Sequence, residues 1–186
     1  EAEILRDTGT WVSHQARSNM NNAVGAADIE GLLRLGIPVC MGTDGFSHNM
    51  WAEWKAAYLL HKVAHLDPRR ANGMDIAQMG VYNNAALAKV FFGDEAPGVL
   101  APGTAPDILL VDSPPPTPVT AGNLPWHIVF GFESSMVTTT MAGGEVLMRD
   151  RELLTLDEEA IAARSREIVP EVWARYTEIA EAALRG

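Results

Sequence analysis

The sequence is poor in cysteine, in basic charge and in long apolar runs, and each shortage excludes a class of protein. Cys40 is the only cysteine in 186 residues, so neither an intrachain disulfide nor a cysteine-rich zinc cluster can form. A lone thiol also fits a reducing compartment. Lys and Arg number 14 against 24 Asp and Glu, a net charge of −10. No basic run occurs, so the counterion release that drives nucleic-acid binding is missing, and no nucleic acid partner is expected. Apolar stretches are broken by Gly, Pro or charge well short of the roughly 20 residues a membrane span needs, and no signal-peptide pattern opens the chain. The expectation is a cytoplasmic protein with no membrane partner. The first residue is Glu1 and not Met, and an apparent strand begins by Thr10. That pattern points to a chain that starts in mid-protein, although a processed precursor would look the same.

What is present is enough to fold: 47% of residues are hydrophobic, sufficient for a core at this length. Thr10 to His14 (TWVSH) is β-prone and runs into a polar segment, Gln15 to Asn22, read as a loop. In AADIEGLLRLG, Ile29, Leu32 and Leu33 fall at helical spacing, and Gly36 stands where a left-handed C-cap is wanted. Ile37 to Met41 (IPVCM) is continuously apolar, as in a parallel strand buried on both faces. It ends in GTDGFSHNM. Strand, loop, helix, strand, loop is a βαβ unit, and α/β folds carry their chemistry after the carboxyl ends of such strands. Two further helices are predicted, Trp51 to Leu66 and about Asp75 to Phe91, the latter capped by Asp75. They read as outer helices of a barrel. APGVLAPGTAPDILLVD is turn-rich, delivers a strand at Asp107 to Val111 and leads into the proline run Ser113 to Pro118, marking a domain change. Met136 to Met141 and Glu145 to Met148, joined by Gly143-Gly144, predict a hairpin with a primed turn. Leu156 to Arg185 reads as an amphipathic helix opened by Asp157, Glu158 and Glu159 and kinked or divided at Pro170.

Asp44 is the strongest candidate for chemistry. A carboxylate directly after a buried strand, between Gly42 and Gly45, can approach a metal ion or a water closely, and can serve as metal ligand and general base. The alternative is an Asx-turn or a helix cap. His14, at the end of the first strand, either meets a substrate or metal or simply packs. Asn19, beside Ser18 and Met20, either faces a ligand or pins its loop. His48, in the loop after Asp44, either lines a pocket or is solvated. His61 and His65 are spaced i, i+4 on one helix face, but no Glu completes a metalloprotease pattern, so they are read as packing on the barrel exterior or on a partner chain. Trp51, Trp54 and Tyr58 are read as core or interface aromatics.

Four segments in order resemble one family. VSHQARSNMNNAVG resembles the seventh barrel strand and loop of the amidohydrolases, usually close to xxHCPxSNxxxxxG. GIPVCMGTDGFSHNMWAEWKAAYLLHKV resembles their eighth strand with its GTDG, GVLAPGTAPDILLVD their return into a small β-sandwich, and MVTTTMAGGEVLMRDRELLTLDEEAI their C-terminal hairpin. Within the superfamily the resemblance is to the branch of cytosine and guanine deaminases, atrazine chlorohydrolase and SsnA-type aminohydrolases. It implies an α/β fold: the C-terminal part of a (β/α)8 barrel over residues 1–95, part of a composite β-sandwich over 96–150, and a helical tail over 151–186. It also implies a metal-dependent hydrolase acting on non-peptide carbon–nitrogen bonds by hydrolytic deamination of a heterocyclic amine, with chlorohydrolase chemistry as the alternative within enzymes. One divalent metal, zinc or iron, is implied, with Asp44 as its ligand and as proton acceptor, and with His14 and Asn19 beside a small heterocyclic substrate; His48, from its place in the loop after Asp44, is a further candidate to bind that substrate.

Two departures qualify the resemblance. Gln15-Ala16 replaces Cys-Pro, reshaping that side of the pocket. The family's other metal ligands, an HxH on the first strand and histidines on the fifth and sixth, lie on segments this chain does not contain. A catalytic zinc takes about three protein ligands and a barrel about 250 residues, so the chain alone is expected to be inactive. A complementary N-terminal polypeptide of the same enzyme and a homo-oligomer are the expected partners, and a non-catalytic scaffold or binding subunit is the competing reading.

Overall fold

The structure is a computed structural model and describes residues 1–185; Gly186, the last residue of the expected tail, lies outside the described residues. The chain is mixed α/β, with a two-stranded parallel sheet and a four-stranded antiparallel one. Helix α1 (Ala2–Asp7) precedes the first strand, where the sequence suggested none. Strand β1 (Val12–His14) pairs in parallel with β2 (Val39–Met41), Val12 opposite Val39 and His14 opposite Met41. Between them lie α2 (Ala16–Asn21) and α3 (Ile29–Arg34). Helix α2 replaces the loop expected over Gln15 to Asn22. It is polar in sequence, but it buries Ala16 and Ser18 and packs on the next long helix, and tertiary contact overrides weak propensity. Helix α3 is capped by Asp28, whose carboxylate accepts from Gly31 N–H. Gly36, at φ +75°, supplies the left-handed residue that ends it, as expected.

All three residues of β2 are buried, in line with the continuously apolar run. Asn49 caps α4 (Met50–His65) through Ala52 N–H. A capping box then opens α5 (Gly73–Ala77), with Asn72 accepting from Met74 and Asp75 N–H while Asp75 accepts from Asn72 N–H. Asn72 is therefore the cap and Asp75 its reciprocal partner, a correction by three positions. The predicted single helix is interrupted by a π-helical segment, Gln78–Asn83, before α6 (Asn84–Phe92). Burial of Ile29, Val39, Met41, Trp54, Ile76 and Met79 forms the centre of the core between the parallel strands and these helices. Helix α7 (Leu124–Gly131) adds Val129 to it.

The second sheet runs in the order β3 (Ile108–Val111), β4 (Val137–Ala142), β5 (Glu145–Arg149), β6 (Glu152–Leu153), all antiparallel. Gly143 and Gly144 both take positive φ in the β4–β5 turn, which only a primed turn requires. Helix α8 spans Glu158–Arg185 with Pro170 inside it and no buried residue; the proline does not divide it. Among the described residues no helix is long and apolar enough to cross a membrane.

Candidate active site around Asp44

The segment between β2 and α4 leaves the strand at Gly42, whose N–H still donates to His14 O at 3.2 Å, and then turns sharply. Phe46 N–H donates to Thr43 O at 3.1 Å, and Asp44 sits inside that turn at φ +49°, a left-handed conformation that aspartate tolerates better than most residues. The turn presents the Asp44 side chain to solvent. Ser18 Oγ, on α2, donates to Asp44 Oδ2 at 2.6 Å. No second hydrogen bond to this carboxylate occurs among the described residues, so Oδ1 is open. A cleft of about 390 Å3 surrounds it, lined by Ser18, Asn21, Asn22, Asp44, Gly45 and Phe46.

The loop is held by a buried ion pair that the sequence reading missed. Glu53, in the first turn of α4, is fully buried. Its Oε2 accepts from Arg17 Nε at 2.5 Å and its Oε1 from Arg17 N–H at 3.0 Å. The same guanidinium donates to Ser47 O at 2.7 Å and Ser47 Oγ at 3.2 Å, and lies over the Phe46 ring. Arg17 thus uses its fork of donors to tie the loop carrying Asp44 to the start of α4, while its neighbour Ser18 holds the carboxylate. The signal was a Glu set among apolar residues in WAEWKAA, and an Arg in the segment taken for a loop.

The remaining candidates do not gather at Asp44. His14 is 2% exposed, and its Nε2 lies 3.2 Å from Nε2 of His61, so it is absent from the cleft and packs against α4. Its Nδ1 is buried without a partner. His61 is buried as well, which corrects its placement on an exterior or partner surface; His65 alone of that pair is exposed. Desolvation lowers the pKa of His14. Desolvation first, then the neighbouring His14 and His65, brings His61 down to about 4. A shared N–H···N contact demands that at least one of the two rings be neutral, and burial favours the neutral form of both. Asn19 is half-buried in α2. His48 is exposed and lines a separate, largely apolar cavity with Trp51, Leu109 and Val137, between α4 and the antiparallel sheet. Trp54 is in the core, while Trp51 and Tyr58 pack edge-on against Phe132 and Phe130.

Among the described residues no group of three His, Cys, Asp or Glu side chains is placed to hold a metal ion. Asp44 offers one carboxylate oxygen, fewer than the about three protein ligands of a catalytic zinc, so these residues do not fit a metal by themselves.

The chain is 33% identical over 179 residues to 5'-deoxyadenosine deaminase of Methanosarcina mazei, covering 94% of this chain and 40% of the relative. It is 36% identical over 165 residues to 5-methylthioadenosine/S-adenosylhomocysteine deaminase of Dictyoglomus thermophilum, covering 87% and 38%. A zinc-bound adenosine deaminase from Xanthomonas campestris superposes with a TM-score of 0.76 at 22% identity, covering 93% of this chain and 40% of that one. Atrazine chlorohydrolase from Arthrobacter aurescens, complexed with zinc, gives 0.72 at 22%, covering 91% and 39%. The chain therefore spans about two fifths of the length of the curated relatives it matches. The model of the amidohydrolase family matches residues 1–147, and the chain belongs to that family.

Proposed function

We propose that this chain supplies the Asp44 side of the active site of a metal-dependent hydrolase that deaminates a heterocyclic amine of the adenosine type. The observation that carries the reading is the geometry of Asp44: an exposed carboxylate just past a buried parallel strand, with Oδ2 held by Ser18 and Oδ1 open. Strands β1 and β2 are then the last two strands of a (β/α)8 barrel over residues 1–95. The antiparallel sheet over 96–150 is part of a composite β-sandwich, and 151–186 forms the tail. Asp44 provides one ligand to a divalent metal, zinc by the company of its structural neighbours, and the remaining ligands come from the part of the enzyme this chain does not contain. Such a cation would supply water of lowered pKa for the attack.

The Asp44 carboxylate would take a proton as water adds to the amine-bearing ring carbon and pass it to the departing nitrogen, so that the amine leaves as ammonia. Ser18 keeps the carboxylate in register by holding Oδ2. Asn19, next to Ser18 on α2, stands on the substrate side in this reading, whereas His48 lines a cavity separate from the Asp44 cleft. His14 supports β1 from behind through His61. Deamination is favoured over chlorohydrolysis because relatives above 30% identity are named deaminases, whereas the chlorohydrolase likeness is one of fold. The test is metal analysis of the enzyme that carries this segment. Asp44→Asn, which keeps the shape and removes the charge, should lower bound zinc well below one equivalent, and undiminished zinc sinks the assignment.

A further inference from the structure

Helix α2 has no cap of its own. Gln15 stands at its N-cap and offers no side-chain hydrogen bond, and a helix start leaves its first N–H groups without partners. The partner comes from another helix. Glu53, in the first turn of α4, accepts the Arg17 N–H at Oε1 at 3.0 Å and the Arg17 Nε–H at Oε2 at 2.5 Å. One carboxylate therefore closes the first turn of α2 and pairs with the guanidinium that leaves it. Both grips on Asp44 hang from that point. Ser18, the next residue of α2, donates to Asp44 Oδ2 at 2.6 Å. Beyond Asp44 the Arg17 guanidinium donates to Ser47 O at 2.7 Å and lies over the Phe46 ring. None of this depends on the rest of a barrel. Glu53 is 0% and Ser18 7% exposed within this chain, so added segments can cover them further and cannot uncover them. Strands β1 and β2 are neighbours here and stay neighbours when further strands close the barrel.

We propose that Glu53 is a positioning residue for the Asp44 carboxylate, acting through Arg17 and Ser18; this rests on the reading of Asp44 given above. Stability does not account for a carboxylate in this place. Two charges taken out of water recover in mutual attraction about what their burial costs, and an apolar pair of similar volume holds a core as well or better. What an apolar pair cannot do is fix direction. Leu and Met side chains would fill the space of Glu53 and Arg17, but they offer no acceptor to the N–H of residue 17 and no donor to Ser47 O. Helix α2 is polar and six residues long, too short to persist on propensity. Without Glu53 its first turn opens, Ser18 Oγ draws back from Oδ2, and the loop bearing Asp44 loses its hold at Ser47. The carboxylate, flanked by Gly42 and Gly45, then has no neighbouring side chain in the turn to steady it.

The test uses the enzyme that carries this segment, with 5'-deoxyadenosine as the probe and ammonia release as the assay. Arg17→Met/Glu53→Leu should keep an unfolding midpoint in urea close to that of wild type. Its α2 amides, residues 16–21, should exchange hydrogen about tenfold faster or more, the effect of losing one protecting hydrogen bond. Its kcat should fall by about 10-fold to 100-fold while KM changes by less than about twofold, the pattern of a misplaced reacting group beside an intact binding surface. Glu53→Gln keeps one acceptor for Arg17 and should fall between wild type and the double variant in both readouts; it serves as the test variant if the double variant does not fold. Gly80→Ala, destabilised by its clash with Trp54, should leave kcat alone, which separates positioning from loss of stability. Turnover within about twofold of wild type in a folded double variant, where Asp44→Asn abolishes it, overturns the proposal and leaves the pair a structural one. A lower kcat with unchanged α2 exchange overturns it too, since the effect then does not pass through α2. Full turnover in Asp44→Asn would instead fell the reading of Asp44 itself, and the proposal with it.

Discussion

Removing the Glu53 carboxylate should cost more stability than any other single polar change near the site. Glu53 is fully buried and Arg17 nearly so, with 14% of its side chain exposed. Glu53→Ala leaves a guanidinium with its main counter-charge gone and Arg17 N–H without its acceptor. Breaking a buried pair from one side costs about 3–5 kcal/mol. Because Arg17 retains some solvent and keeps Ser47 O, the lower end, about 3 kcal/mol, is expected. With a urea slope of about 1–3 kcal/mol/M for a small protein, the unfolding midpoint should fall by roughly 1–3 M. Glu53→Gln keeps the shape and one acceptor, and should lose about half as much. The double variant Arg17→Met/Glu53→Leu, which removes both charges, should recover most of the loss. A midpoint in Glu53→Ala within about 0.3 M of wild type would refute the claim that this pair holds the loop to α4.

Three further outcomes follow from the same packing. A Cβ at Gly80 would run into the buried indole of Trp54, a rigid ring in the core, so Gly80→Ala should destabilise by about 1–3 kcal/mol, measurable by thermal unfolding. His61 titrates near 4 in the fold against an ordinary 6.5, so the unfolded chain binds the proton more readily. Stability is therefore fully present above about pH 6.5 and is lost as pH falls toward about 4; His61→Leu should flatten that part of the stability–pH curve, and an unchanged slope would contradict it. Ser18→Ala should weaken metal retention in the completed enzyme less than Asp44→Asn does, because it removes the hydrogen bond on Oδ2 and leaves the ligand; equal losses would show that Ser18 does more than orient the carboxylate.

The position of Asp44 in a turn between a buried strand and a helix was legible in the sequence because local order announces it: a continuous apolar strand, then GTDG, then a helix. The hairpin at Gly143-Gly144 and the cap at Gly36 were legible for the same reason, since positive φ is a local demand. What holds Asp44 was not. Arg17 and Glu53 are 36 positions apart, Ser18 and Asp44 are 26, and no periodicity links them. Helix α2 was hidden because its polar residues earn their helix from burial of Ala16 and Ser18, not from propensity. His61 was misplaced because apolar neighbours on both sides of α4 gave no hint of which face meets β1. His14, expected beside the substrate by resemblance, is buried with its Nε2 3.2 Å from His61 on that helix.

The assignment of Asp44 as the proton-handling ligand is tested most directly by ammonia release from an adenosine analogue, measured on the enzyme that carries this segment with and without Asp44→Asn. If the Asp44 carboxylate moves the proton, turnover falls by at least about 100-fold while the fold is retained. Turnover within about twofold of wild type, on a folded variant, would place the chemistry elsewhere.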